Sequence, residues 1–312
     1  MKISFWGVRG SIPSPLTPRQ IQAKITAVVQ RITPKDIESE NARERFVSSL
    51  PSWLYGTTGG NTPCVELNAS NGTKIILDAG SGLRMFGKNA NKPANNEYHL
   101  FLSHFHWDHL QGLPFFDAAF RDDTIIHVYS TFPKAEKLLR KQMDHPYFPV
   151  TFDSFTKHFH FHTVKVGKSF NLNGLTVNSC KMSHPGNSYT YSFAENGKKF
   201  VYATDVELSQ KDFEKTENRI SVFQDADAIV LDAQYTVAEV YQKENWGHSA
   251  FCHAIDFAVH WNIKSVYLFH HEPMYDDKKL NSILQSATMY AKYTEHPEIK
   301  IYLAMENMVI EL

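Results

Sequence analysis

Short apolar runs, separated by glycine, asparagine, proline or serine, recur along the whole chain. Their length and their β-branched and aromatic content predict strands. Such runs cover residues 3–6, 65–68, 74–77, 99–102, 125–129 and 159–164. Six more follow at 175–179, 189–193, 199–203, 228–231, 266–269 and 299–303. Apolar residues recur with helical spacing in four places, residues 17–31, 133–142, 248–261 and 277–292. Asn171-Leu172-Asn173-Gly174 and Glu195-Asn196-Gly197 lie between strands and read as hairpin turns. Hairpins mixed with helix-linked strands predict two mixed sheets covered by helices. No repeat, low-complexity stretch or linker divides the sequence, so residues 1–312 are expected to form one domain.

One stretch breaks the pattern. Residues 16–50 turn polar, charged and helix-like, and Thr17-Pro18 resembles a helix start. This is a helical insertion at the domain's edge, serving as plain surface, as a lid or as a dimer contact.

Composition narrows the function classes. With 42% hydrophobic and 13% aromatic residues the 312-residue chain is too apolar for disorder. Its 32 basic and 33 acidic side chains nearly cancel, with a sequence pI near 7.0. That balance argues against a dedicated binder of nucleic acid or of a membrane surface. Cys64, Cys180 and Cys252 lie far apart, with no C-x-x-C pair, which fits a reducing cytoplasm. No apolar run approaches the length of a membrane span. Met1 to Trp6, broken at once by Gly7 and Gly10, does not read as a signal peptide.

The distribution of the 16 histidines changes the picture. Ser103-His104-Phe105-His106-Trp107-Asp108-His109 follows the strand expected at 99–102. In an extended segment His104, His106 and Asp108 share one side. His109, in the first turn of an expected helix, can swing towards them. A set of N and O donors this dense suits a borderline metal such as Zn²⁺.

This motif, H-x-H-x-D-H, resembles that of the metallo-β-lactamase superfamily, and four further elements follow that family's order. Leu77-Asp78-Ala79-Gly80-Ser81-Gly82 resembles its strand-end aspartate and glycine turn. Ser183-His184-Pro185-Gly186 resembles its later lone histidine, Thr204-Asp205 its bridging carboxylate, and Leu268-Phe269-His270-His271 its last ligand. The resemblance implies an α/β fold: a four-layer αββα sandwich of two mixed β-sheets flanked by helices. It also implies two divalent metal ions per chain, Zn²⁺ or, with the same donors, Mn²⁺. His104, His106 and His184 would hold the first ion, and Asp108, His109 and His270 the second. Asp205 would bridge them, with a hydroxide between. Asp78 is expected to orient the ligand loop rather than to bind metal. Of the neighbours His270 and His271 only one can face the metals; the family pattern favours His270, leaving His271 as a supporting or substrate-facing group.

A second constellation narrows the branch. Asp232 follows the apolar run 228–231, and Trp246-Gly247-His248-Ser249 opens an expected helix. This resembles the phosphodiesterase branch, which includes ribonuclease Z and cyclic-nucleotide phosphodiesterases, where an acidic residue supports a G-H-S histidine. Ribonuclease Z usually carries Glu where this chain has Asp232, one methylene shorter. The catalytic group implied is Asp108, His248 as proton donor, and Asp232 as its orienter.

The function expected is hydrolysis of a small phosphodiester, a cyclic nucleotide first among candidates. A homodimer is the assembly the resemblance implies. Nucleic acid is not the expected partner, because the insertion sets Arg19, Lys24, Arg31, Lys35, Arg43 and Arg45 against Asp36, Glu38, Glu40 and Glu44. Trp53, Tyr55, Tyr147, Phe148 and Tyr235 are available to stack on a base. The alternatives are a ribonuclease Z-like endonuclease, a hydrolase of a thioester or lactam, and a binding protein without catalysis.

Overall fold

The computed structural model describes residues 1–154 and 158–312. Two seven-stranded sheets form the centre. The first contains β1 (Lys2–Gly7), β2 (Cys64–Asn68), β3 (Lys74–Leu77), β4 (Glu97–Phe101), β5 (Ile125–Ser130) and β6 (Phe159–Thr163). Its seventh strand is the chain's last, β14 (Val309–Glu311), and the order is β14-β1-β2-β3-β4-β5-β6. The second runs β13-β12-β11-β10-β9-β8-β7. Its strands are β7 (Phe170–Leu172), β8 (Leu175–Met182), β9 (Ser188–Glu195), β10 (Lys198–Ala203), β11 (Ala228–Asp232), β12 (Ser265–Phe269) and β13 (Lys300–Leu303). Both hairpin turns form as the sequence predicts, with Asn173, Gly174, Asn196 and Gly197 all at positive φ.

Alternation along the strands builds the layers. Phe200 and Tyr202 point between the sheets, where they meet Ile3, Phe5, Leu77 and Phe269. Their neighbours Val201 and Ala203 face outwards, under α8 (Phe251–His260) and α9 (Asp277–Tyr293). On the far face, α4 (Gly82–Asn89) supplies Leu83 and Phe86 to cover Ile76, Leu100 and Val128. With α5 (Ala135–Gln142), α6 (Glu217–Phe223) and the short α7 (Val237–Val240), the result is a four-layer αββα sandwich.

Topology places the site. β3 to β6 run parallel, as do β10 to β13. Their carboxyl ends therefore share an edge, the position where open α/β sheets carry ligands. Asp78, His104, Asp205 and His270 follow such ends, and Asp232 is the last residue of β11.

Residues 16–50 form α1 (Pro18–Val29), a 3₁₀ turn and α2 (Glu40–Ser49), followed by the short α3 (Ser52–Tyr55). Thr17 caps α1 through a reciprocal bond with Gln20. Lys24 ties the helix to the body through Asp277 and the carbonyls of Trp53 and Gly56, while Ile21, Ile25 and Val29 stay exposed. Among the described residues, no helix is long and apolar enough to cross a membrane.

Candidate metal centre

The site begins with a buried carboxylate. Asp78 leaves β3 at φ 61 and accepts four hydrogen bonds. The donors are Ser103 N at 2.8 Å, Ser103 Oγ at 2.7 Å, Tyr202 OH at 2.8 Å and His109 Nδ1 at 2.8 Å. A carboxylate so surrounded fixes the chain on both sides of the histidine cluster. It also fixes the ring of His109, with Nδ1 on Asp78 and Nε2 turned inward as the nitrogen that can face a cation.

Other imidazoles follow the same rule. His184 Nδ1 donates to the carbonyl of Gly247 at 2.8 Å, and His270 Nδ1 to Gln234 Oε1 at 3.1 Å. His104 Nδ1 lies 3.0 Å from Ser103 Oγ. Their inward nitrogens gather into two groups that share Asp205. His104, His106, His184 and Asp205 form one; Asp108, His109, Asp205 and His270 form the other. Within each, the donor atoms all lie within 4.8 Å of one another. His109 Nε2 is 3.2 Å from Asp108 Oδ2 and 3.1 Å from Asp205 Oδ1; His270 Nε2 is 3.1 Å and 3.2 Å from the same two atoms. His184 Nε2 faces His106 Nδ1 at 3.3 Å.

The donor set fits divalent cations. The Nε2 atoms of His104 and His109 are fully buried and make no well-directed hydrogen bond among the described residues, although Asp205 oxygens lie 3.5 Å and 3.1 Å from them. Such orphans are rare unless an ion uses them. Burial, assisted by His109, drives the pKa of His104 well below its ordinary value, and burial also lowers those of His106 and His184. All three thus present lone pairs. Burial opposes charge on Asp108 and Asp205 too, yet adjacent imidazoles, His109 foremost, hold both below the carboxylate range. Conversely, Asp108, Asp205 and Asp78 outweigh burial at His109 and raise its pKa well above the ordinary value. Three buried carboxylates in one cavity draw positive charge into it.

A second pair stands beside this centre. Asp232, at the end of β11, accepts from His248 Nδ1 at 2.6 Å and from the backbone N–H groups of Val206, Gln234 and Ser249. The shorter carboxylate reaches its histidine without difficulty, so Asp in place of Glu leaves the pair intact. Burial works against charge on His248, but Asp232 outweighs it and raises the pKa to about 9. The His248 ring stacks on His270 with centroids 4.8 Å apart, which sets it at the rim of the second donor group. Glu207 fixes the loop before it, accepting from Asn245 N and Gly247 N at 2.9 Å each.

The beta-lactamase superfamily domain matches residues 73–271, a range that contains every residue of the two donor groups and the Asp232–His248 pair. The chain belongs to the beta-lactamase superfamily. In fold it is similar to the metallo-beta-lactamase fold protein YhfI from Bacillus subtilis, with TM-score 0.66 at 14% identity over 100% of this chain and 98% of that one. It is likewise similar to the short form of human tRNase Z (TM-score 0.63, 17% identity, 100% and 99% covered). Unliganded yeast PDE1 gives a TM-score of 0.65 at 13% identity, with 100% and 99% covered. No curated protein matches at the level of sequence. Family and donor groups together mark a metal-dependent hydrolase of the metallo-β-lactamase fold.

Within that fold several local expectations need correction. His109 closes a 3₁₀ turn, Trp107–His109, and does not open an α-helix. His248 lies three residues before α8, whose first residue is Phe251. His271 lies outside both donor groups. Its Nε2 donates to the Ala304 carbonyl at 2.8 Å, and burial beside Arg9 lowers its pKa to about 3. Of the candidate stacking residues, Tyr235 is buried against His248, while Trp53 lies by α9, lining a pocket with Asp277. Only Tyr147 and Phe148 line a cleft with the motif loop.

Three supports have no counterpart in the sequence reading. Ser11 N donates to Asp108 Oδ2 at 2.8 Å, Gly10 packs against His270, and Gln234 orients His270 while its own Nε2 binds Glu272. A Cβ on Gly10 would lie 2.5 Å from His270 Nδ1. The glycine after Arg9 was the one available signal.

Proposed function

We propose that this protein is a phosphodiesterase that uses two divalent cations to hydrolyse a small phosphodiester, a cyclic mononucleotide opened to its linear monophosphate. His104, His106 and His184 would hold one cation, and Asp108, His109 and His270 the other, with Asp205 shared. Bound there, the cations would supply Lewis acidity to the phosphoryl oxygens and lower the pKa of water.

The observation that carries the proposal is the Asp232–His248 pair stacked on His270. Hydrolysis of an alkyl phosphodiester expels an alkoxide, which needs a proton as it leaves. Asp232 holds the ring by Nδ1, so Nε2 carries the proton to be given. With its pKa near 9, His248 is protonated at neutral pH. A thiolate or a lactam nitrogen needs this help less. Similarity in fold to a tRNase Z and to a diphosphatase of the PhnP family is consistent with phosphoester chemistry.

Small size of the substrate follows from charge. Several Lys and Arg contacts are needed to hold a transfer RNA. Four acids stand against the insertion's six basic residues, and one of the six, Lys24, is already engaged by Asp277.

The test measures metal content, then turnover of a panel of cyclic mononucleotides beside a precursor transfer RNA and an acyl thioester. Two metals per chain with cyclic-nucleotide hydrolysis supports the proposal. Cleavage of the RNA or the thioester with every cyclic nucleotide intact overturns it. Asp205→Ala should fold, bind fewer metals per chain and lose orders of magnitude in turnover; a variant that keeps two metals removes Asp205 from the shared position.

A further inference from the structure

Behind the last histidine of the second donor group, hydrogen bonds run in one direction. His270 Nδ1 donates to Gln234 Oε1 at 3.1 Å, and Gln234 Nε2 donates to Glu272 Oε2 at 2.9 Å. An amide can offer either of its ends to an imidazole, so Gln234 alone does not fix which nitrogen of His270 faces the cavity. A carboxylate can only accept. Glu272 therefore takes the amide N–H, which leaves Oε1 for His270, and Oε1 requires a proton on Nδ1. Nε2 is then the nitrogen turned towards Asp108 and Asp205, at 3.1 Å and 3.2 Å. His109 reaches the same arrangement directly, because its Nδ1 lies on the Asp78 carboxylate. His270 has a neutral partner and reaches it through one more residue.

The fold holds each member in place. Gln234 is buried, and its backbone N–H donates to Asp232 Oδ1 at 3.1 Å. Asp232 thus anchors both the proton donor His248 and the support of His270. Ala233 N donates to the Phe269 carbonyl at 3.1 Å, which lays the loop after β11 against the loop after β12. Buried Arg9 fixes the backbone of Glu272, donating from Nη1 to its carbonyl at 3.2 Å. Lys243 Nζ stands 3.6 Å from the same oxygen that accepts from Gln234, and 4.2 Å from the centre of the Tyr235 ring.

We propose that Glu272 is a positioning residue for the second donor group. Acting through Gln234, it fixes the orientation of that amide and so the nitrogen that His270 presents to a cation. The proposal rests on reading the two donor groups as cation sites, whichever diester is cleaved.

Two measurements test it on the whole protein. One is Zn²⁺ affinity against a competing chelator; the other is the proton resonance of His270 Nδ1–H in metal-free protein carrying ¹⁵N-labelled histidine. Gln234→Met should weaken one of the two sites ten- to hundredfold. Glu272→Met, which frees the amide to turn, should weaken the same site about tenfold. Glu272→Gln can still accept from Gln234 and should stay within about threefold of the wild type. Combined with Gln234→Met, Glu272→Met should cost nothing further, because its effect passes through the amide. The Nδ1–H resonance should lie downfield in the wild type and in Glu272→Gln, and move upfield in Glu272→Met. Wild-type affinity in Glu272→Met overturns the proposal, and so do losses in the two Met variants that multiply when combined. A wild type that binds no Zn²⁺ sinks the cation reading by itself. The resonance then decides for Glu272: a shift in Glu272→Met supports its hold on His270, and an unmoved signal refutes it.

Discussion

His248 shows how one residue takes its role from the groups around it. Its imidazole is buried, which alone would strip it of charge, yet Asp232 at 2.6 Å restores the proton. The carboxylate in turn is held by three backbone N–H groups, so it cannot swing away. A proton donor built this way should matter in proportion to the basicity of the leaving group. His248→Ala is expected to keep both metals and to lose roughly 10²–10⁴ in kcat on a diester with an alkoxide leaving group. On a nitrophenyl diester the loss should be far smaller, since nitrophenolate departs without a proton. Paired kinetics on the two substrates decide the point: equal losses would show that His248 positions the substrate and does not protonate it. The grouping of such residues was readable where the pattern is local. Six consecutive positions, 104–109, supply three imidazoles and a carboxylate, and no distant contact is needed to notice them. Gln234 and Ser11 were not readable, because each matters only through a partner, His270 or Asp108, that the fold brings from far along the chain.

At the scale of elements, the centre depends on loops, most of them at the ends of parallel strands, that specific contacts pin in place. The loop before His248 is the tightest. Gly247 has φ +91, its carbonyl holds His184 Nδ1, and a Cβ there would lie 2.1 Å from that same nitrogen. Both the backbone conformation and the space require glycine. Gly247→Ala should therefore push His184 out of place while the two sheets stay folded. The expected result is a ten- to hundredfold weaker affinity for one metal of the two, as when a ligand's support is removed. Metal titration with a competing chelator measures it, and unchanged affinity at both positions would refute the link between this loop and His184. Elements differed in legibility for a related reason. The β11 run Ala228–Asp232 is wholly buried, and its apolar residues declare it. By contrast, β14 is a three-residue edge strand with exposed Val309 and Glu311, and β7 is equally short. Neither is long enough to show a period, so partner strands make them visible. The helix α4 opens on Gly82 and contains Gly87, residues that argue against a helix until its burial under the first sheet is known.

For the whole molecule, the histidines outside the centre set a limit on stability in acid. His99, His127 and His160 sit on β4, β5 and β6 as register partners, side by side on one face of the first sheet. The rings of His99 and His127 stack at 5.0 Å, and His127 Nδ1 lies 3.0 Å from His162 Nε2. His99 is the buried member, with Nδ1 3.2 Å from Tyr129 OH. Burial, then the neighbouring His127 and His162, lower its pKa from 6.5 to about 4. Glu97 on the same strand acts on His127 and on the Tyr129 phenol. A base with a depressed pKa in the fold takes up its proton more readily in the unfolded chain. Its contribution is therefore complete above pH 6.5 and is lost as pH falls towards 4. Between pH 7 and pH 5 the wild type should lose about 1–2 kcal/mol through His99 alone. Histidine ligands weaken over the same interval, but they do so in any variant with an intact centre. Comparing wild type with His99→Phe at both pH values, by urea unfolding under one metal concentration, isolates the difference. The variant should show the flatter decline, and parallel declines in the two proteins would mean that His99 is already free to protonate in the folded sheet.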